Sequence, residues 1–353
     1  MTALGELIAR RIAAEGPITV ADYMTECLLH PEHGYYSTRD PLGAAGDFTT
    51  APEISQIFGE LTGLALAQAW RDQGRPAPFA LAELGPGRGT LMADMLRATR
   101  AVPGFHAALQ VHLVEASPAL RDRQAATLAD HAPAWHHAAA ELPGLPLFLV
   151  ANEFFDALAV RQFIRAGEAW RERVIGLCDG ALAFGLAAPA RLAALEDRLA
   201  DTAEGDLVEL RAAADPIIAE LGARIGAHGG AALIVDYGDW GSRGDTLQAV
   251  RGHAPQDPLA APGEADLTAH VDFRALARAA SVPVAGPVGQ GLLLERLGAT
   301  ERARALARGL AGEALESHVA AHRRLTHPGE MGTLFKAIAL HPPDTAPPPG
   351  FAP

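Results

Sequence analysis

The sequence contains a single lysine, Lys336, in 353 residues, so almost every positive charge is an arginine. Its 29 basic residues fall well short of the 42 acidic ones, and the formal charge is −13. A protein that neutralises nucleic-acid phosphates carries the opposite balance, which excludes nucleic acid as the main partner and leaves room for basic ones. Cysteine is almost as scarce. Cys27 and Cys178 stand too far apart for metal-ligand spacing, which excludes a cysteine-type zinc site and a disulfide framework and suits a reducing compartment. His136 and His137 have no acids or cysteines at ligand spacing, so no metal is expected. Although 49% of the residues are hydrophobic, no run approaches the ~18 uninterrupted apolar residues that would indicate a membrane span.

The length exceeds one compact core and predicts a principal domain with a sizeable insertion. Residues 4–30 read as two helices broken at Gly16-Pro17, with Thr19 or Asp22 as cap of the second. The first helix carries Arg10 and Arg11, as a transit peptide would, but Glu6 and Glu15 make it part of the fold, and the expected compartment is the cytoplasm. A Pro- and Gly-rich stretch, HPEHGYYSTRDPLGAAGDFTTAPEIS, is expected to be loop, followed by helix from Ile54 to Trp70. Residues 1–75 thus form an N-terminal helical segment with a loop.

From residue 79, short apolar runs alternate with helical segments. FALAEL, ALQVHLVE, LPLFLVANEF and AALIVDYG read as strands of a mostly parallel sheet, with helices at 90–101 and 118–130 between them. The pattern predicts an α/β core over 76–340, covered on both faces. Insertions are expected at about 160–230, where apolar and polar residues alternate around Gly167 and Gly180, and at 240–275, which is rich in Gly, Pro and Asp with little periodicity. The Pro-rich end, 341–353, is expected to fray.

The stretch LAELGPGRGT carries the first chemical signal. A strand ending in Glu83 runs into Gly85, Gly87 and Gly89 and then a helix, which places a nucleotide-like ligand at the carboxyl end of the sheet. The spacing G-x-G-x-G departs from the dinucleotide pattern G-x-G-x-x-G, and the sole lysine lies elsewhere, so this is not a phosphate loop. An acid at 83 would repel phosphate and suits an amino group. S-adenosylmethionine has an ammonium and no phosphate. Glu115, at the end of the next strand, is placed to accept hydrogen bonds from both ribose hydroxyls. The competing reading makes the glycines a simple turn and Glu115 a solvated cap.

A third strand ends in NEFFDALAV, with Asn152, Glu153 and Asp156 where a methyl acceptor would sit. Paired carboxylates suit a guanidinium, which stays charged and is recognised through a planar fork of donors. Phe154, Phe155 and Tyr237 could wall such a pocket or belong to the core. Asp236 reads as a supporting acid or a cap, and His270 with Asp272 as a hydrogen-bonded pair near the site.

Taken together, HPEHGYYS, GDFTTAPEIS, ELGPGRGT, NEFFDALAV, VDYG, GDTLQAVRGH, PGEADLTAHVDF and MGTLFKAIAL resemble, in this order, the motifs of the MidA-like family. Mitochondrial members of that family are protein arginine methyltransferases that assist assembly of respiratory complex I. The resemblance spans residues 20 to 340. It implies a class I methyltransferase (Rossmann-like) fold, with a seven-stranded sheet whose last strand, GTLFKAIAL, is antiparallel. It also implies S-adenosyl-L-methionine as cofactor and symmetric dimethylation of arginine on a protein such as a complex I subunit. Carried over by position, Gly85, Pro86, Gly87, Gly89 and Glu115 resemble the cofactor site, joined by Glu83 and Asn152. Thr50, Glu53 and Ser55 resemble the segment that closes over the cofactor, and Asn152, Glu153 and Asp156 the acceptor loop, with His270 as a further catalytic candidate. Residues 244–273 resemble a substrate lid. Ala159 departs from the proline common at that place. Two alternatives stand beside this reading: a cofactor-binding assembly chaperone without methyl transfer, and a nicotinamide-dependent oxidoreductase. Nothing in the chain requires or excludes a homodimer.

Overall fold

The computed structural model describes residues 2–38 and 49–351. Residues 46–48, which open GDFTTAPEIS, and the preceding end of the loop-rich stretch fall outside them. The chain divides into two compact units. One gathers residues 2–38, 156–214 and 241–270, and the other residues 49–155, 215–240 and 271–351.

The second unit holds the sheet. Phe79–Leu84, Leu109–Val114, Leu147–Asn152 and Gly230–Asp239 form where the apolar runs predict strands, and Ala134–His136 is added at one edge. These five run parallel in the spatial order 134–136, 109–114, 79–84, 147–152, 230–239. Phe335–Leu340 lies antiparallel beside the last of them, and Val284–Gly289 antiparallel beyond it. This is the seven-stranded, mostly parallel sheet with a reversed final strand that was expected. A two-residue strand, Val271–Asp272, adds to it by pairing with Gly238 and Asp239. Every residue of Phe79–Leu84 and of Leu147–Asn152 is buried. A parallel strand covered on both faces has no wet side, which is why these runs are apolar without alternation.

Two helices set the position of the loop that leaves Phe79–Leu84. Gln56–Asp72 is capped by the Ser55 hydroxyl, which accepts from the Ile57 N–H, and Thr90–Thr99 begins at Gly89. They pack so closely that a Cβ on Gly59 would lie 2.6 Å from the Asp94 Cβ, and one on Gly63 2.7 Å from the Met95 Cα. Between these glycines Glu60, 3% exposed, accepts from Arg97 at 2.5 Å and from Arg302 at 2.6 and 2.8 Å. Burial opposes its charge, but the two guanidiniums outweigh that and hold its pKa below the ordinary carboxylate value. One carboxylate thereby ties three helices together, the third being Ala299–Ala307.

The first unit is built from hairpins and two N-terminal helices, Ala3–Glu15 and Val20–Leu29. Thr19 and Asp22, each a candidate cap in the sequence, work together: the Thr19 hydroxyl accepts from the Asp22 N–H, and the Asp22 carboxylate accepts from the Thr19 N–H. Arg161–Ala166, Ala169–Cys178 and Ala181–Leu186 form the expected antiparallel excursion. Asp179 and Gly180 turn the second hairpin with φ of 50° and 79°, as a two-residue turn between right-twisted strands requires. Leu4, Ile8, Tyr23, Met24, Val160 and Ile175 share the core of this unit.

Two expectations are corrected. Residues 240–270 are not devoid of regular structure: Gln248–Arg251, Ala254–Gln256 and Asp266–Thr268 form a three-stranded sheet. Three or four residues are too few for a periodicity to register in a sequence. The Pro-rich end does not fray as far as Phe351, which is 6% exposed within the main hydrophobic core, while the Gly350 carbonyl accepts from Arg296 at 3.0 Å. Phe351→Ala should therefore cost about 3 kcal/mol in urea unfolding, the usual loss for a buried phenylalanine. A change within a few tenths of a kcal/mol would mean that the end is not part of the core.

Candidate functional site

Where Phe79–Leu84 leaves the sheet, Gly85, Gly87 and Gly89 have φ of 62°, 53° and 82°. Gly85 is constrained twice: its φ is left-handed, and a Cβ there would sit 2.9 Å from the Phe154 ring. The Gly89 N–H donates to the Pro86 carbonyl at 2.7 Å and closes the turn. Backbone bare of Cβ atoms at this edge lets a ligand approach the main chain.

Glu83, the penultimate residue of that strand, is 3% exposed, and its Oε2 has no hydrogen-bond partner. Burial pushes its pKa up to about 8; a hydrogen bond involving the Met92 main chain works against this, and the Glu115 charge adds to it. A buried carboxylate with one oxygen unused suits a cation and rejects a phosphate. Glu115 follows Leu109–Val114. Its Oε1 accepts from the Ser117 N–H at 2.8 Å and its Oε2 from the Gln124 amide at 3.1 Å. Burial raises its pKa, and these two donors oppose the rise.

Asn152 ends the Leu147–Asn152 strand. Its Nδ2 donates to Glu153 Oε1 at 3.1 Å, and its own Oδ1 is buried without a partner. Glu153 adopts φ of 50°, a conformation that non-glycine residues seldom adopt and that concentrates at functional sites. Its Oε1 also accepts the Ala51 N–H at 3.0 Å, at the start of the short helix Ala51–Ile54. Glu53 in that helix accepts from the Thr90 hydroxyl at 2.6 Å and lies 3.9 Å from Arg88. Glu53 and Glu153 thus pin the segment beginning at Thr50 to the start of the Thr90–Thr99 helix and to the end of Leu147–Asn152. Thr50 stands extended ahead of the short helix, and its side chain makes no cap bond.

Other candidates have structural roles. Ser55 spends its hydroxyl on capping Gln56–Asp72. Phe155 is fully buried, a core residue and not a pocket wall, and its N–H donates to Asp236 Oδ2 at 3.0 Å. Asp236 Oδ1 accepts from the Tyr237 N–H, so this acid shapes the two strand ends. Tyr237 stacks edgewise on Phe335. Asp272 caps Phe273–Ala279, accepting from the Arg274 and Ala275 N–H groups. His136 Nε2 faces His112 Nδ1 at 2.9 Å.

Asp156 and His270 belong to the first unit. Asp156 is 6% exposed, and its carbonyl accepts from the Ala269 N–H at 3.1 Å; the His270 N–H donates to the Thr246 hydroxyl at 2.8 Å. Arg211, which sequence reasoning missed, donates to the carbonyls of Leu158, Ala269 and His270 at 3.0, 2.7 and 3.1 Å and so clamps these two segments together. Gln124 was missed as well, because a helical glutamine gives no hint of burial until the fold surrounds it.

The glycine edge, the unused Glu83 oxygen and the strained Glu153 set the terms for comparison with known proteins. A family model for S-adenosyl-L-methionine-dependent methyltransferases matches residues 61–288. The chain belongs to this family. It is the MidA-like group that the motifs resemble. The chain is 41% identical over 364 residues to the mouse protein arginine methyltransferase NDUFAF7, mitochondrial, covering 94% of this chain and 83% of that one. It is 37% identical to the Drosophila melanogaster homolog, covering 96% and 85%. A crystal structure of a superfamily member from Burkholderia thailandensis, bound to S-adenosyl-homocysteine, superposes with a TM-score of 0.85 at 30% identity, covering 99% of this chain and 94% of that one.

The methyltransferase has S-adenosyl-L-methionine as its cofactor, and the residues present fit it. The buried Glu83 oxygen suits an ammonium, the two oxygens of Glu115 suit a vicinal diol, and the glycine edge suits close contact. When bound, the cofactor supplies an electrophilic methyl group on a sulfonium. Membership of the family sets aside the nicotinamide alternative. The expected cytoplasmic compartment is also corrected, since the mouse, fly and human relatives are named mitochondrial. A helix that packs into the fold, as Ala3–Glu15 does through Leu4 and Ile8, carries no information on compartment.

Below pH 8 the free protein holds a proton on Glu83, whereas an ammonium draws out the ionised form. Binding of S-adenosylhomocysteine at pH 7 should therefore release most of one proton, read as a dependence of calorimetric heat on the buffer. Affinity should rise about tenfold per pH unit below 7 and level off above 8. In Glu83→Gln both effects should vanish and affinity should fall; a folded variant that binds as tightly as the wild type would show that Glu83 does not face the ammonium.

Proposed function

We propose that this methyltransferase modifies arginine on a protein partner, with Glu153 holding the guanidinium. The observation that carries the reading is Glu153 itself: a carboxylate next to the edge of the glycine-loop strand, kept in a strained backbone conformation and steadied by the Ala51 N–H and the Asn152 amide. A carboxylate held in place binds the guanidinium fork and leaves one terminal nitrogen to be aligned with the methyl group, so most of the rate advantage is positional. Asp156, three residues further along the same chain segment, is the second acid of this reading, and His270 its further catalytic candidate. The cofactor would be held by Glu83, Gly85, Pro86, Gly87, Gly89, Glu115 and Asn152, with the Thr50–Ser55 segment beside them.

Relatives named as protein arginine methyltransferases, aligned over nearly the whole chain, support arginine as the acceptor. A subunit of respiratory complex I is the partner implied by the family resemblance. The acidic balance of the chain, −13, favours a basic partner over an acidic one.

Glu153→Gln retains an oxygen for the Ala51 N–H and removes the charge. It should lower methyl transfer by about 100-fold or more while changing S-adenosylhomocysteine affinity less than about threefold. Asp156→Asn is expected to act in the same direction. The measurements are labelled methyl transfer into extract proteins, with mass spectrometry of the labelled residue, and calorimetry. A Glu153→Gln enzyme at full rate would remove this residue from the acceptor site. A wild-type protein that binds cofactor yet labels nothing would favour the assembly-chaperone alternative.

A further inference from the structure

Gln124 lies in the helix Pro118–Thr127, which Ser117 caps, and is completely buried. Its Nε2 donates to the Gly87 carbonyl at 2.8 Å and to Glu115 Oε2 at 3.1 Å, and its Oε1 accepts from the Trp135 indole N–H at 2.9 Å. These partners determine which way the amide points: an indole nitrogen only donates, a carbonyl only accepts, and a reversed amide would break all three bonds. One side chain therefore spans the middle of the glycine loop and the acid at the next strand end, anchored to a tryptophan in Ala134–His136.

We infer that Gln124 is a positioning residue for recognition of the cofactor's ribose. The inference rests on the reading of Glu115 as the acceptor for the ribose hydroxyls. It deepens that reading by naming what sets the geometry and charge of this acceptor. An ionised carboxylate is acceptor-only and takes both hydroxyls of a diol, whereas protonation turns one of its oxygens into a donor. Glu115 is 9% exposed, and burial works against its ionised form. The Ser117 N–H engages one oxygen and the Gln124 amide the other, which favours the charged form and fixes the rotation of the group while leaving each oxygen with further capacity to accept. The second amide hydrogen, on the Gly87 carbonyl, fixes the orientation of the amide and so of the hydrogen aimed at Glu115. Loss of the Gln124 donor thus acts on ligands through their hydroxyls.

The test uses Gln124→Glu, which keeps an oxygen for Trp135 and replaces the donor with a carboxylate facing Glu115, and Gln124→Met as a second variant of similar volume. Binding of S-adenosylhomocysteine and of its 2′-deoxy analogue is measured by calorimetry at pH 6 and pH 8, alongside thermal unfolding. The wild-type protein should prefer the ribosyl ligand. In Gln124→Glu at pH 8 the ribosyl ligand should bind about 10- to 100-fold more weakly, the span expected for a hydrogen bond to a charged group, while the deoxy analogue loses only a few-fold. Lowering the pH to 6 should restore part of that preference, because the introduced carboxyl can donate again once it is protonated; Gln124→Met should lose the preference at both pH values. Equal loss for both ligands in a folded variant would overturn the inference and leave Gln124 a purely structural residue. Glu115→Gln separates the other failure: if it leaves the preference for the ribosyl ligand intact, Glu115 is not the ribose acceptor and the reading underneath falls with it.

Discussion

A parallel strand buried on both faces can satisfy its backbone only through its neighbours, so polar side chains and changes of direction are driven to its ends. In this methyltransferase the constraint operates on three adjacent strands, Phe79–Leu84, Leu109–Val114 and Leu147–Asn152. Glu83, Glu115 and the Asn152-Glu153 pair stand at their carboxyl ends. Each acid there has a different environment: Glu83 has an unused oxygen, Glu115 is held by two donors, and Glu153 is held by two donors on one oxygen in a strained backbone. Three carboxylates of similar intrinsic acidity thereby stand in distinct surroundings, and the proposed assignment of cation, diol and acceptor follows those differences.

The surroundings of these acids are stiff. Gly59 and Gly63 bring the Gln56–Asp72 helix onto Thr90–Thr99 at contact distance, and Glu60 joins both to Ala299–Ala307 through Arg97 and Arg302. Thr90–Thr99 is the helix into which the glycine loop runs, so the packing of its far side fixes where the loop stands. Asp236 performs a comparable service by taking the N–H groups of Phe155 and Tyr237. Methyl transfer is governed by the alignment of acceptor, methyl and sulfur, and these contacts hold the backbone around the strand ends without help from a ligand.

The fold was legible in the sequence where a local rule suffices. FALAEL and LPLFLVANEF announced buried parallel strands, the alternation around Gly167 and Gly180 announced an antiparallel excursion, and Thr19 or Asp22 announced a helix start. It was not legible in Gln248–Thr268, whose three strands are too short for an alternation to stand out, nor in the Pro-rich end, where Phe351 is buried by distant residues that no window around it contains. The aromatic pair after Asn152 divided: Phe154 lies against Gly85, whereas Phe155 is core.

By itself the sequence determined the strands of the parallel run, the glycine edge and the acids at the strand ends, because each depends on residues adjacent in the chain; the reversed last strand was implied by the family resemblance and not by any local pattern. Only the tertiary structure decided which groups those acids meet. Ser55 became a helix cap, Gln124 a buried bridge between Gly87, Glu115 and Trp135, and Arg211 a clamp on backbone carbonyls. The physical reason is that a polar side chain gains its role from partners far away in sequence. Glutamine on a helix and arginine after a strand look solvated until folding removes the water and leaves specific acceptors in its place.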